Sequence, residues 1–183
     1  MEQANFAFAK KLVQAINPLP IWGPKTWVLV SGGTATASSK LLAKSANVHN
    51  MQAGLPNAAK GDLCVWITPS NAKDYVAAAG LAAKGVTVVL VNGLFKDPRS
   101  VSAAATMAYF YKPLTYNSAV VGCLLRVYPG TWAVVDAVTN QQLAVYNDTN
   151  ILVSGTNTPD LRSSGKLVQK AVDQRAIRAR STQ

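Results

Sequence analysis

The loop at residues 31–39, SGGTATASS, contains residue types that could bind an anion. It follows an apolar stretch that predicts a buried strand, and open α/β sheets bind ligands beyond the carboxyl ends of their strands. Gly32 and Gly33 would let backbone N–H groups approach a phosphate, and Thr34 leads towards a predicted helix start. The loop lacks both the dinucleotide glycine spacing and the P-loop lysine. It therefore predicts either an anion site at Gly32, Gly33 and Thr34 or a tight strand–helix turn.

Residues suited to acid–base or nucleophilic chemistry are scarce. The one histidine, His49, lies in a polar stretch typical of a loop, while Cys64 and Cys123 lie in apolar runs that favour reduced core thiols. Of the eight acidic residues, only Asp136 falls where a cleft could use it, so no pair of carboxylates can be assigned. We therefore expect no catalytic residues, no metal site and no cofactor, and we predict that the protein is not an enzyme.

Basic residues are concentrated at the C-terminal end of the chain. The net charge is +10, and residues 162–183 hold six basic residues against one acid, Asp173. A spacing of four places Arg162, Lys166 and Lys170 on one helix face. That face could contact phosphates, anionic lipid headgroups or an acidic protein, or it could be a solvated surface. The predicted partner-binding residues are Arg162, Lys166, Lys170, Arg175, Arg178 and Arg180.

An aromatic run, MAYFYKPLTY, lies near the middle of the chain. Tyrosines interleaved with Lys112 could stack on nucleic-acid bases or on a pigment. The same residues also suit a packed helix end whose tyrosine hydroxyls are hydrogen-bonded. The aromatic residues concerned are Tyr109, Phe110, Tyr111 and Tyr116.

Helices and strands alternate in the N-terminal part of the chain. An apolar stripe predicts a helix over residues 3–16, and apolar runs predict strands at 26–32, 63–68 and 86–92. An alanine-rich helix that begins at Pro69 and Ser70 separates the last two strands. This alternation indicates a parallel sheet with right-handed crossovers.

The pattern changes in the second half of the chain. Asp97 and Pro98 predict the start of a helix that Pro113 ends. Three apolar segments joined by turn residues then predict an antiparallel meander, and a closing helix begins after Thr158 or Asp160. The predicted fold is therefore α/β, a Rossmann-like layered sheet with parallel core strands, a C-terminal antiparallel meander and a closing helix. We predict a single α/β domain over 1–160 and a basic C-terminal helix or tail over 161–183.

The segment LLRVYPGTW contains the most specific motif in the chain, a tyrosine-proline-glycine-x-tryptophan sequence preceded by an arginine. Together with the upstream MAYFYKPL, it resembles a domain family of unknown function from plants, algae and cyanobacteria, the family that includes Low PSII Accumulation 3. We also expect the turn to require an unusual backbone shape at its glycine. The motif residues are Arg126, Tyr128, Pro129, Gly130 and Trp132.

The resemblance implies an accessory factor of oxygenic photosynthesis. We therefore predict a non-enzymatic accessory or assembly protein that binds a photosystem or another thylakoid membrane complex on its stromal side. Its expected location is the chloroplast stroma, the stromal face of the thylakoid or the cyanobacterial equivalent, as a soluble or peripheral protein. An anionic membrane surface is a further expected partner. The alternatives are a nucleotide- or phosphometabolite-binding α/β domain and an RNA-binding protein, although we do not favour a nucleic-acid partner.

Overall fold

The computed structural model describes residues 2–16, 24–30, 46–93, 101, 104–153 and 158–181. The chain forms two compact units, Met1–Ser100 and Val101–Gln183. The sequence predicts one domain over 1–160 with a tail after it, whereas the segment beyond residue 160 belongs to the second unit. Across the described residues, no helix combines the length and the hydropathy needed to cross a bilayer.

The first unit is built on a four-stranded parallel sheet, as predicted. The strands lie side by side in the order β2-β1-β3-β4. In the described part of this unit there are two helices, α1 (Glu2–Ile16) and α2 (Ala72–Ala83). The strands are β1 (Thr26–Val30), β2 (Asn47–Asn50), β3 (Leu63–Ile67) and β4 (Thr87–Val91).

Both faces of the parallel sheet are apolar because each is covered. One face packs against Phe6, Ala9 and Val13 of α1, and the other packs against Ala78 and Leu81 of α2. This explains why β3 reads as a continuous apolar run without alternation.

Helix α2 begins slightly later than the sequence predicts. Asn71, and not Pro69 or Ser70, is the N-cap, since its side chain accepts a hydrogen bond from the Asp74 amide while Asp74 bonds back to the Asn71 amide. This reciprocal capping box satisfies donors that the first turn would otherwise leave unpaired. Gly85 follows the helix with a φ of 82°, as expected of a glycine that ends a helix.

The second unit is built on a four-stranded antiparallel sheet in the order β5-β6-β7-β8, which confirms the predicted meander. Its core contains Leu124, Trp132, Val134 and Val168. The strands are β5 (Tyr109–Tyr116), β6 (Ala119–Val127), β7 (Trp132–Asp136) and β8 (Gln142–Tyr146). Its described residues also form the helices α3 (Asp148–Val153) and α4 (Leu161–Ser181), of which α4 is the predicted closing helix.

The prediction of a helix that ends at Pro113 is wrong for the aromatic segment before this proline. Tyr109 and its neighbours form β5 instead, and Pro113 lies inside that strand, paired with Cys123. Aromatic residues favour a pleated surface, and a proline is tolerated in β5 because this strand is at the edge of the sheet. The predicted helix start at Asp97 and Pro98 lies outside the described residues.

Candidate functional site

Helix α4 carries the predicted partner-binding residues. Asp160 caps the helix by accepting hydrogen bonds from the Ser163 amide at 2.9 Å and from the Arg162 amide at 3.3 Å. Hydrogen bonds from the side chain and backbone of Ser163 lower the pKa of Asp160. The cap fixes where the helix starts, and hence which of its residues face the sheet.

One side of α4 is fixed to the antiparallel sheet. Ser164 and Val168 are buried, and a side chain in place of Gly122 on β6 would come within 2.8 Å of both Val168 methyl groups. Arg175 lies on the same side and forms an ion pair with the buried Asp136. Arg175, one of the six predicted partner-binding residues, therefore anchors the helix to the sheet.

Asp136 is a structural carboxylate at the end of β7. Burial opposes its charge, but the hydrogen bond from Arg175 and those from the Thr139 and Val138 amides lower its pKa overall. The two amides donate at 3.1 and 2.8 Å, which closes the turn between β7 and β8. Asp136 is the carboxylate that the sequence analysis placed where a cleft could use it, and these contacts engage both of its oxygens.

The opposite side of α4 is an exposed cationic face, formed by Arg162, Lys166, Lys170 and Arg180. At 100° per residue these positions fall within about 80° of the helix circumference. Among the described residues, none forms an ion pair with Lys166, Lys170 or Arg180. Arg178 is also exposed but lies to one side of this face.

The predicted motif residues come together in the second unit around a buried guanidinium. Arg126 is 2% exposed. It donates from Nε to the Met107 carbonyl at 2.8 Å and from a terminal nitrogen to Asp148 at 2.6 Å. The guanidinium also lies over the rings of Tyr128 and Trp132, and the Trp132 indole N–H donates to Asp148 at 3.0 Å. The arginine and the tryptophan of the motif therefore have structural roles within the second unit.

The turn of the motif differs from our expectation at Gly130. Its φ is not left-handed, since the glycines with positive φ among the residues that the structure describes are Gly54, Gly61 and Gly85. A side chain at Gly130 would instead lie 2.9 Å from the Val127 carbonyl oxygen. Close approach of the backbone is therefore what favours glycine here.

The second place with ligand-binding geometry is the carboxyl edge of the parallel sheet. The chain runs from β1 outwards to β2 and then returns to β3 on the other side of β1, so the order reverses between β1 and β3. Open α/β sheets bind ligands at such a reversal. The predicted anion loop, Gly32, Gly33 and Thr34, follows β1 but lies outside the described residues.

Three polar side chains meet at this edge. Asn5 of α1 donates to the Thr68 hydroxyl at 3.2 Å and accepts a hydrogen bond from the Asn92 amide group. Thr68 and Asn92 follow β3 and β4 directly, with φ angles of 53° and 50°. Left-handed backbone at non-glycine residues is uncommon and is often found at functional sites. No local sequence pattern indicates this cluster, because its members are far apart in the chain.

Asp62 and Cys64 are structural groups of the first unit. Asp62 accepts hydrogen bonds from the Lys25 amide at 2.9 Å, the Trp27 indole at 3.1 Å and the Ala59 amide at 3.0 Å. Burial opposes its charge, yet these bonds lower its pKa. Burial, with a smaller contribution from Asp62, raises the pKa of the Cys64 thiol to about 11. Within the described residues, no three His, Cys, Asp or Glu side chains cluster as a metal ion would require.

The aromatic run does not interleave with its lysine on one surface. Because side chains alternate along a strand, Tyr109 and Tyr111 lie on one face of β5 and Lys112 on the other. Phe110 is on the core side, where its ring packs at 5.3 Å from that of Trp132. These residues therefore do not form the combination of stacking rings and an adjacent cation on which the prediction of RNA binding rests.

The described residues thus offer an exposed cationic helix and a polar sheet edge. The motif from Arg126 to Trp132 serves the packing of the second unit. In comparisons with protein-family models, curated proteins and solved structures, the chain matches none. The family resemblance therefore stays a prediction that rests on the residues quoted for it.

Proposed function

We propose that the protein is a non-enzymatic accessory or assembly factor that binds a larger anionic complex through the cationic face of α4. The observation that carries this proposal is the separation of charge on the helix. Arg175 is used to hold α4 on its sheet, while Lys166 and Lys170 remain exposed and point away from it. The family resemblance supplies the partner, a photosystem-type membrane complex approached from its stromal side.

A fixed helix is well suited to this role. Its buried contacts hold the cations in a line before any partner arrives, so binding does not have to order the backbone. Exposed cations also accelerate encounter with an anionic surface, and that contribution weakens as salt screens the charges. Asp173 is the acidic residue on this face, and it lies within 3.4 Å of the Tyr116 hydroxyl.

The test is a charge reversal on α4 with a matched reversal elsewhere. The Lys166→Glu, Lys170→Glu double variant is compared with a Lys11→Glu, Lys73→Glu double variant, which changes the net charge equally at exposed positions of α1 and α2. Each protein is incubated with thylakoid membranes, and the complexes that it captures after mild solubilisation are identified by mass spectrometry.

We expect the parent chain and the control variant to capture photosystem subunits and the α4 variant to lose most of that capture. Capture by the parent should also fall between about 50 and about 300 mM salt. Equal capture by both variants would remove α4 from the interaction. Capture of no thylakoid complex by the parent would reject the photosystem partner.

A second candidate function is binding of a nucleotide or phosphorylated metabolite at the carboxyl edge of the parallel sheet. It is favoured by the order reversal between β1 and β3 and by the Asn5, Thr68 and Asn92 cluster. A ligand at 100 times its dissociation constant should stabilise the fold by about 2.7 kcal/mol, which a thermal-shift panel would detect. Asn92→Gly should abolish that shift and Asn117→Gly, also at positive φ but in the turn between β5 and β6, should keep it.

A further inference from the structure

The antiparallel sheet has an apolar face that α4 does not cover. We call it the outer face. Phe110, Leu124 and Trp132 belong to the core beneath α3 and α4, so the residues that alternate with them point the other way. The apolar residues of the outer face are Tyr109, Tyr111, Pro113, Cys123, Leu125, Val127, Ala133, Val135 and Val145, and the uncharged Gln142 lies beside Val135 on the same face.

An apolar outer face is unusual for a sheet of this kind. An antiparallel sheet with one solvated face normally alternates apolar and polar residues along each strand. In β6, one of the two central strands, every residue of AVVGCLLRV except Gly122 and Arg126 is instead apolar, so apolar side chains point to both faces. Among the described residues of the outer face, none carries a charge.

The exposed area of the outer face is large enough for a specific contact. Tyr109 and Tyr111 are 66% and 55% exposed, and Val127 and Val145 are 55% and 52% exposed. With their half-buried neighbours, side chains of these sizes present on the order of 500 Å² of apolar surface. Two such faces together would bury about 1,000 Å², which is the lower bound for a specific protein interface.

We propose that the outer face binds a second copy of this chain, with the two sheets packed face to face about a twofold axis. An uncharged, self-complementary patch is what an isologous contact needs, and twisted sheets pack face to face at about 10 Å. The cationic face of α4 belongs to the opposite side of the same sheet. The positive charges of the two copies are therefore held apart instead of being brought together.

The same face is poorly suited to nucleic acid. Tyr109 and Tyr111 could stack on bases, but the phosphates of a bound strand would meet no cation among the described residues of this face. Affinity for single strands depends on such cations as well as on stacking. Self-association buries the apolar residues of the outer face and needs no charged residue there.

The test measures the oligomeric state of the full chain by sedimentation from about 1 to about 100 µM. The face variants are Tyr111→Lys and Val145→Lys, which place like charges against each other across the twofold axis. The matched controls are Val138→Lys, in the turn between β7 and β8, and Ile177→Lys, on α4, where the native side chains are 68% and 63% exposed. All four variants change the net charge equally.

We expect a reversible monomer–dimer equilibrium in the parent and both controls, weakened at least tenfold in the face variants. Hydrogen exchange at β5 and β8 should slow as the concentration of the parent rises, and should not do so in Tyr111→Lys. A parent that stays monomeric throughout the range would overturn the proposal. So would a dimer that both face variants retain. The sedimentation result is independent of thylakoid binding, so either proposal can fail alone.

Discussion

Removing the carboxylate that faces Arg126 should destabilise the second unit without loosening its apolar core. In Asp148→Ala, the buried guanidinium loses its ion pair at 2.6 Å and the Trp132 indole loses its acceptor at 3.0 Å. The Met107 carbonyl remains as the hydrogen-bond partner of Arg126. The variant therefore leaves one buried charge and one N–H group short of partners.

The expected cost follows from the burial of the two partners. Breaking a fully buried ion pair from one side costs about 3–5 kcal/mol. The side chain of Arg126 is 3% exposed, but that of Asp148 is 54% exposed, so water can reach the site and compensate in part. We expect about 2 kcal/mol for Asp148→Ala, and about 1 kcal/mol for Asp148→Asn because its amide oxygen can still accept from Trp132.

A double-mutant cycle distinguishes this network from independent contacts. Arg126→Met removes the charge while keeping an apolar stem, and should cost about 2–3 kcal/mol. The Arg126→Met, Asp148→Ala double variant should then be less destabilised than the sum of its parents, by about 1 kcal/mol, because no unpaired charge remains.

The assay must report on the second unit alone, since the chain contains two compact units. Hydrogen exchange of peptides from β6 and β7, followed by mass spectrometry across a urea series, meets this need. Additive losses in the cycle would refute the coupling. Equal losses for Asp148→Ala and Asp148→Asn would refute the role of the indole bond.

Three other parts of the chain give sharp expectations. The folded-state pKa of Asp62 is lowered, so its stabilising contribution is complete above about pH 4 and is lost as the pH falls through the folded-state pKa. The melting temperature of Asp62→Asn should therefore vary less between about pH 5 and about pH 2 than that of the parent. Gly122→Ala should lower stability by about 1–3 kcal/mol, since the added carbon would lie 2.7 Å from the Val135 carbonyl oxygen. In α4, the carbon added by Gly165→Ala meets nothing within 4 Å, so this variant should raise stability by up to about 1 kcal/mol. Calorimetry that shows stability changes of the same sign for both variants would contradict this. Cys64, with a thiol pKa of about 11, should resist iodoacetamide at about pH 8 until the chain is unfolded, and rapid native labelling would count against its burial.

The parallel strands and the meander could be predicted because their signals are local. β3 and β4 are continuous apolar runs, as strands covered on both faces must be. The turns that join β6, β7 and β8 are marked by Pro129–Gly130 and Thr139–Asn140. The sequence does not predict β5, because Pro113 indicates the end of a helix. A proline is tolerated in a strand at a sheet edge, and whether β5 is an edge strand depends on the tertiary strand order.

The polar contacts could not be predicted, because residue type does not specify a partner. Asn5 bonds to residues 63 and 87 positions away, and Arg175 bonds to one 39 positions away. Asn92 reads as a strand end and Asp148 as an ordinary acidic residue near a turn. Their roles depend on which elements the sheets bring together, and local pattern carries little of that information.

The basic residues of α4 show why a charge cluster must be read with its helical phase. Arg175 and Lys166 are equally basic in sequence, yet one holds the helix on Asp136 and the other is exposed. Deleting residues 162–183 would therefore remove both functions at once and would expose core residues beside Val168. A loss of binding after such a deletion would not distinguish a missing docking face from an unfolded unit. Substitutions confined to Lys166 and Lys170 leave the anchoring contacts intact, so they test the docking face by itself.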